Sequence, residues 1–301
     1  MKGRRKIDGV LLLDKPPGLS SSMALQQAKR LLNAEKAGHA GTLDPLATGL
    51  LPLLFGEATK FAQFGLDSDK TYVAGVRLGI VTDTGDAEGR VLETRPVAVQ
   101  DAKLEAALAR FRGVIDQVPP MYSALKRDGR PLYELAREGK SVERAPRRVT
   151  IHALELLRRE PERLDLRVAC SKGTYVRQLA VDLGEVLGCG AHLDALRRTG
   201  AGAFTLEGAV TLEDLQAAPE DRRGACLLPP DRLLEGLARV DLGPAEATRL
   251  LQGQAIPVPG QSVGPRRVYR QDGALLGVGE VDAAGRLHPV RLLAAPAVAS
   301  G

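Results

Sequence analysis

The chain has 301 residues, 44% of them hydrophobic, and 42 Lys and Arg against 37 Asp and Glu give it a formal charge of +5. That is long enough for two domains, or one large domain with an appendage, and the charge suits a polyanionic partner without requiring one. No apolar run approaches a membrane span, Val10 to Leu13 is too short for a signal peptide, and Cys170, Cys189 and Cys226 form neither a CxxC nor a metal-ligand spacing. A reduced, cytoplasmic protein without structural zinc or a disulfide framework is expected.

In chain order, Val10 to Leu13 reads as a short buried strand ended by the rigid turn Asp14-Lys15-Pro16-Pro17-Gly18. Ser20, Ser21 and Ser22 offer N-caps for a helix over about Met23 to Asn33. A shaped loop, Gly38 to Pro52, follows. From Thr71 to Ile80, Tyr72, Ala74, Val76 and Leu78 alternate with their neighbours as in a strand, so Tyr72 shares a face with apolar side chains. Asp101 is a plausible N-cap for a helix carrying Leu104, Leu108 and Phe111 and ending at Gly113. Residues 121 to 148 form a basic excursion interrupted by glycines and prolines, with at most one helix near Leu132 to Glu138. Strands over about Val149 to Leu157 and Leu164 to Cys170 precede a helix over about Val176 to Leu187. After a polar, proline-marked stretch at Pro219 to Pro230, a helix over about Ala245 to Gln252 leads into strands at Arg267 to Arg270, Ala274 to Val281 and Leu287 to Leu293. Basic side chains cluster twice, at Lys2, Arg4, Arg5 and Lys6, and from Lys126, Arg127, Arg130 and Arg137 through Lys140 to Arg144, Arg147 and Arg148.

The stretch GHAGTLDPLATGLLP, Gly38 to Pro52, sets the single carboxylate Asp44 among glycines and leucines. Partial desolvation there would raise its pKa unless a cation compensates. Read alone, Asp44 serves equally as a cap for a turn or for a helix after Pro45.

Together with GEATKF at Gly56 to Phe61, DSDKTY at Asp67 to Tyr72, TDTGDAEG at Thr82 to Gly89, VPPMYSALK at Val118 to Lys126, CSKGTYVRQL at Cys170 to Leu179 and LGCGAHLDALRR at Leu187 to Arg198, this stretch resembles the bacterial tRNA pseudouridine-55 synthases. The resemblance implies that Asp44 is the catalytic aspartate, that Tyr72 stacks on the target base and takes part in proton transfer, and that Arg177 pairs with Asp44. It further implies that Tyr175 and Leu196 line the uracil pocket, that His39 helps displace the target base from the T-loop, and that Lys60 and the excursion with Arg144, Arg147 and Arg148 contact phosphates. Taken alone, Tyr72 is a core tyrosine, Arg177 a surface residue at a helix start, Leu196 ordinary helix packing and His39 a loop histidine.

Irregularly interleaved strands and helices give an α+β class with a mixed, largely antiparallel sheet flanked by helices. Residues 1–238 are expected to form the catalytic domain and 239–301 a small β-rich, PUA-like RNA-binding domain. The expected partner is the T-arm stem-loop of tRNA, bound by a monomer without guide RNA, cofactor or metal. A non-catalytic RNA-folding protein on the same scaffold is the competing class. Hydrolase chemistry with Asp83 and Asp86 on a metal is disfavoured, because TDTGDAEG reads as a glycine-rich turn.

Overall fold

The computed structural model describes residues 3–123, 126–127, 129–140 and 142–294. Lys2 and the end of the tail lie outside the described residues, as do the side chains of Lys126, Arg127 and Arg137.

The strand order of the larger sheet is Gly9–Lys15, Thr48–Phe55, Ala191–Ala201, Lys70–Leu78, Arg163–Cys170, Arg147–Glu160 and Gly113–Gln117. Every neighbouring pair is antiparallel except Thr48–Phe55 with Ala191–Ala201, which meet in parallel through Arg197 opposite Thr48. A second sheet, Ala238–Leu242, Gly264–Arg270, Leu275–Val281, Arg286–Leu292 and Ile256–Pro257, is likewise mixed. The α+β expectation is met.

Local signals explain the helices. Ser20 Oγ accepts the Met23 N–H at 3.2 Å, so the first helix runs Ser21–Leu31. Val176–Leu187 stops at Gly188, whose φ of 81° is the left-handed conformation glycine adopts without penalty. Asp101–Arg110 begins after Gln100, one residue earlier than the expected cap. Leu104, Leu108, Leu179 and Leu183 from the last two helices cover Ala74, Val76, Leu78 and Leu166 of the sheet. The first helix instead covers Leu11, Leu13, Leu51 and Leu53, joined by Leu212 and Leu215. Tyr72 and Leu196 are packed against both clusters and mark the seam between them.

Several strands were not expected, among them Gly113–Gln117 and Ala238–Leu242, and two others bear on the cleft. Thr48–Phe55, inside the stretch read as a loop, is buried from Gly49 onward; its apolar run lacks alternation because both faces are covered. Ala191–Ala201 places Leu196 on a strand rather than in a helix. Phe61 and Leu234, from short 3-10 helices at Gly56–Phe61 and Pro230–Leu234, form a small core with Val278 of the second sheet.

Candidate active site

The loop that carries Asp44 is held from beneath by side chains that spend their donors on its backbone. Ser21, which is buried, accepts the Leu43 N–H at 2.7 Å and donates to the Leu43 carbonyl at 2.9 Å. The buried Arg198 donates from Nε to Leu50 O at 2.6 Å and reaches Thr42 O and Gly41 O at 3.3 and 3.4 Å. Lys15 Nζ donates to Leu19 O at 2.6 Å and to Pro16 O at 2.8 Å, with Pro45 O at 3.5 Å. Burial lowers its pKa to about 8, a fall limited by the charges of Asp44 and Glu88. Gly49 allows the close approach that locks the loop's far end. Its φ is 94°, and a Cβ there would lie 2.3 Å from the Arg198 carbonyl.

Asp44 rises from this support with its side chain 49% exposed and pairs with Arg177 Nη2. Arg177 sits in the first turn of the Val176–Leu187 helix and is buried, the reverse of the surface position its sequence context suggests. Its Nε lies 3.2 Å from Asp86 Oδ2, and the Asp86 side chain is only 5% exposed. Asp86 is fixed in turn by the Thr84 hydroxyl at 2.6 Å and the Glu88 N–H at 3.1 Å, both donated to Oδ1. One guanidinium therefore serves two carboxylates, one buried and one open to the cleft.

Tyr72, Tyr175 and Leu196 line the same cleft of about 400 Å³ as Asp44 and Arg177. Burial pushes the Tyr72 hydroxyl pKa up, the Arg198 charge opposing it, and burial likewise raises that of Tyr175. Tyr175 is set by Gln117: Gln117 Oε1 accepts the Tyr175 N–H at 2.8 Å and Nε2 donates to the Tyr175 carbonyl at 3.1 Å. His39 lies in an adjoining vestibule that shares Asp44 and Arg177. Its pKa is lowered by burial and by Arg198, and its Nδ1 is buried without a hydrogen-bond partner.

The remaining expected residues do not converge on Asp44. Arg144 lines a smaller pocket on the Thr84–Gly85 side of Arg177. Arg147 and Arg148 are exposed at the root of the excursion, Arg148 lying 3.8 Å from Asp116. Lys60 is outside the cleft: it pairs with Glu57 at 2.6 Å and donates to Leu292 O at 3.0 Å, so its ammonium joins the two sheets. Sequence reading sets Asp86 aside in a glycine-rich turn, takes Ser21 only as a helix cap, and assigns no role to Arg198 or Gln117. For Asp86 the signal was present, since an acid among glycines had already singled out Asp44. Among the described residues, no group of three or more His, Cys, Asp or Glu could hold a metal ion, and no helix is long and apolar enough to cross a membrane.

Three family models match in tandem: "TruB family pseudouridylate synthase (N terminal domain)" over residues 29–176, "tRNA pseudouridylate synthase B C-terminal domain" over 177–235, and "Pseudouridine synthase II TruB, C-terminal" over 238–293. The chain is 59% identical over 291 residues to the tRNA pseudouridine synthase B of Azoarcus sp. (strain BH72), covering 97% of this chain and 96% of the relative. It is 63% identical over 259 residues to that of Ralstonia pickettii (strain 12J), covering 85% and 81%. Among solved structures it is similar to a chain of a Cbf5-Nop10-Gar1 complex, with TM-score 0.73, 27% identity, and coverage of 96% of this chain and 84% of that one. A chain from an H/ACA RNP bound to a substrate RNA containing 2'-deoxyuridine gives TM-score 0.73 and 27% identity, covering 96% and 85%.

Proposed function

The chain belongs to the TruB family of pseudouridylate synthases, and from that premise we propose that it isomerises uridine 55 in the T-loop of tRNA to pseudouridine, with Asp44 as the catalytic carboxylate. The observation that carries this reading is the half-exposed Asp44 held against buried Arg177 at the wall of the cleft. In the reaction the bond from uracil N1 to C1′ breaks, the base turns, C5 bonds to C1′, and a proton leaves C5 while N1 gains one. Atoms balance without a co-reactant. Asp44 acts at the sugar, either adding to C1′ or stabilising positive charge there. Arg177 holds that carboxylate in place, Tyr72 packs on the base and, with its hydroxyl kept protonated, takes part in proton transfer, and Tyr175 and Leu196 exclude water from the detached uracil.

A uridine stacked in the T-loop must be extruded first, at a cost of a few kcal/mol. His39, neutral and short of a hydrogen-bond partner, is placed in the vestibule to take up that role. We assign residues 1–238 to catalysis and 239–301 to a PUA-like RNA-binding domain. The basic excursion, about 121–148, closes over the T-arm through Arg144, Arg147 and Arg148, and Lys60 is left to hold the sheets together. On this reading the protein acts in the cytoplasm as a monomer without guide RNA, on tRNA as its relatives' designation as tRNA pseudouridine synthase B favours.

The test is an unmodified tRNA transcript incubated with purified protein or its Asp44→Asn variant, with no other RNA or protein present, and mapped for pseudouridine by position. Product at position 55 with the parent, and none with a variant that still binds, is the expected result. Product elsewhere overturns the site, and parent-like product from Asp44→Asn overturns the role of Asp44.

A further inference from the structure

Six cations outside the cleft form one surface. The Arg5 N–H donates to Asn33 O at 2.7 Å, the Arg5 carbonyl accepts the Glu35 N–H at 2.9 Å, and Asn33 Nδ2 donates to Gly3 O at 3.3 Å. These bonds lay Arg4, Arg5 and Lys6 beside Lys36 and beside Lys29 and Arg30, which close the first helix. All six are exposed except Lys29, which is half-buried. Among the described residues none of them has a carboxylate within ion-pairing distance. Of the nearby acids, Asp8 accepts the Glu57 N–H at 2.6 Å, Glu57 is paired with Lys60 and also feels the Lys36 charge, and Glu35 lies next to Lys36 in the chain.

The placement of this surface gives it a partner. Lys36 leads directly into the strand Ala37–His39, so it stands about 10 Å along that strand from His39 at the mouth of the cleft. The first helix offers a second ruler, since Ser20, Ser21 and Ser22 line the same vestibule and Arg30 is about 14 Å farther along the axis. On the other side, the Lys36 carbonyl accepts the Gly56 N–H at 3.0 Å, and the neighbouring Glu57 carboxylate accepts the Ala294 N–H at 2.6 Å, just beyond the last strand of the second sheet. The patch thus spans the surface between the cleft mouth and the C-terminal sheet.

Resting on the function proposed above, we propose that this face binds the phosphate backbone of tRNA outside the stem-loop that enters the cleft, guiding the rest of the substrate toward the C-terminal sheet. Surface cations that serve the fold are normally engaged with carboxylates or carbonyls, as Lys60, Arg77 and Lys172 are here. These six, without a close ion-pair partner among the described residues, stand beside the path of a polymer with one phosphate per nucleotide, where each phosphate they neutralise releases a counterion.

The test uses the full chain with Arg4, Arg5, Lys6, Lys29, Arg30 and Lys36 all replaced by Gln, and a milder Arg30→Gln/Lys36→Gln pair. Affinity is measured at several salt concentrations, and turnover at one, for full-length tRNA transcript and for the isolated T-arm stem-loop. The expected result is about tenfold or more weaker binding of full-length tRNA by the sixfold variant and a shallower salt dependence, by about 0.7–0.9 for each phosphate that is no longer neutralised. The stem-loop should be bound and converted as by the parent, and the pair should show a smaller loss of the same kind. Parent-like affinity and slope on full-length tRNA would make the patch a solvated face and overturn the proposal. Equal losses on both RNAs, in the pair as well as the sixfold variant, would overturn it too, by placing the patch on the stem-loop. Failure of the parent to form pseudouridine counts against the proposed function, whereas these outcomes are read as differences between parent and variant.

Discussion

Gln117 offers a way to perturb the pocket from behind without touching anything that faces the cleft. It is 2% exposed and engages both the N–H and the carbonyl of Tyr175. Gln117→Ala strands two polar groups at the start of the helix that carries Arg177, and at about 1–2 kcal/mol for each broken bond it should cost about 2–4 kcal/mol. Part of that cost should appear in the rate, because the Tyr175 ring and the Arg177 guanidinium hang from this junction. Single-turnover pseudouridine formation in a tRNA transcript, alongside chemical denaturation, measures both. Leu154→Ala, which opens a hole in the same core, supplies a destabilised control with an intact junction. Gln117→Glu sharpens the test. An ionised carboxylate still accepts the Tyr175 N–H but cannot donate to its carbonyl, whereas a protonated carboxyl does both. Burial raises the pKa of such a group, so activity relative to the parent should recover as pH falls through that pKa. A Gln117→Glu pH profile superimposable on the parent's, or a Gln117→Ala rate no lower than that of Leu154→Ala, would refute the reasoning.

Arg177→Gln leaves Asp86 buried and uncompensated, so it should destabilise the fold by about 3–5 kcal/mol. Adding Asp86→Asn should restore much of the thermal stability but not the turnover, and full recovery of both would remove Arg177 from the chemistry. Lys15 and Lys70 both have pKa values lowered by burial, from 10.5 to about 8. Between about 8 and 10.5 the unfolded chain binds more protons at these two groups, so their contribution makes the unfolding free energy rise with pH. Lys15→Met should reduce that slope in denaturation curves taken between pH 8 and 10, and an unchanged slope would count against the burial argument. Gly49→Ala must relieve a contact of 2.3 Å with the Arg198 carbonyl at a φ of 94°, and should lower stability by more than about 2 kcal/mol, with loss of activity through the displaced Asp44 loop. Parent-like denaturation and turnover would contradict it.

What could be read in the sequence was local. Ser20 as a cap and Gly188 as a stop act within one helical turn, so the first helix and Val176–Leu187 were legible. Thr48–Phe55 was not, because Pro52 argues against a strand and both faces are apolar; only its pairing with Gly9–Lys15 shows what it is. Ala191–Ala201 hid for another reason. Register shifts between Leu193 and Ala195 and between Arg198 and Gly200 break the alternation on which a strand is recognised. The site divides the same way. The motif around Asp44 marked it for attention, but residue chemistry alone left a cap as an equal reading, and the pairing with Arg177 was implied by resemblance rather than derived. Asp86 was visible as an acid among glycines, yet its meaning depends on a guanidinium supplied by a distant helix.

That guanidinium differs in kind from the other buried cations. Lys15, Lys70 and Arg198 direct their donors to backbone carbonyls, Lys70 to Leu66 O at 2.8 Å and Gly65 O at 3.0 Å among them. They shape the loops, and Lys70 and Arg198 also line the cleft, where the Arg198 charge opposes the burial-driven rise of the Tyr72 pKa. Arg177 faces carboxylates, and its two partners differ in exposure by roughly an order of magnitude, 5% for Asp86 and 49% for Asp44. The buried partner fixes the guanidinium, since freeing it would leave a charge in a desolvated site. The open partner is held by Arg177 and by its own loop and faces the cleft, as the role proposed for Asp44 at the substrate sugar requires. An arrangement with both carboxylates buried would be more rigid and less reactive, and one with both exposed would leave Arg177 free to swing out. The asymmetry follows from Asp86 sitting in a turn packed by Thr82 and Thr84 while Asp44 stands above a floor of backbone held by Ser21, Lys15 and Arg198.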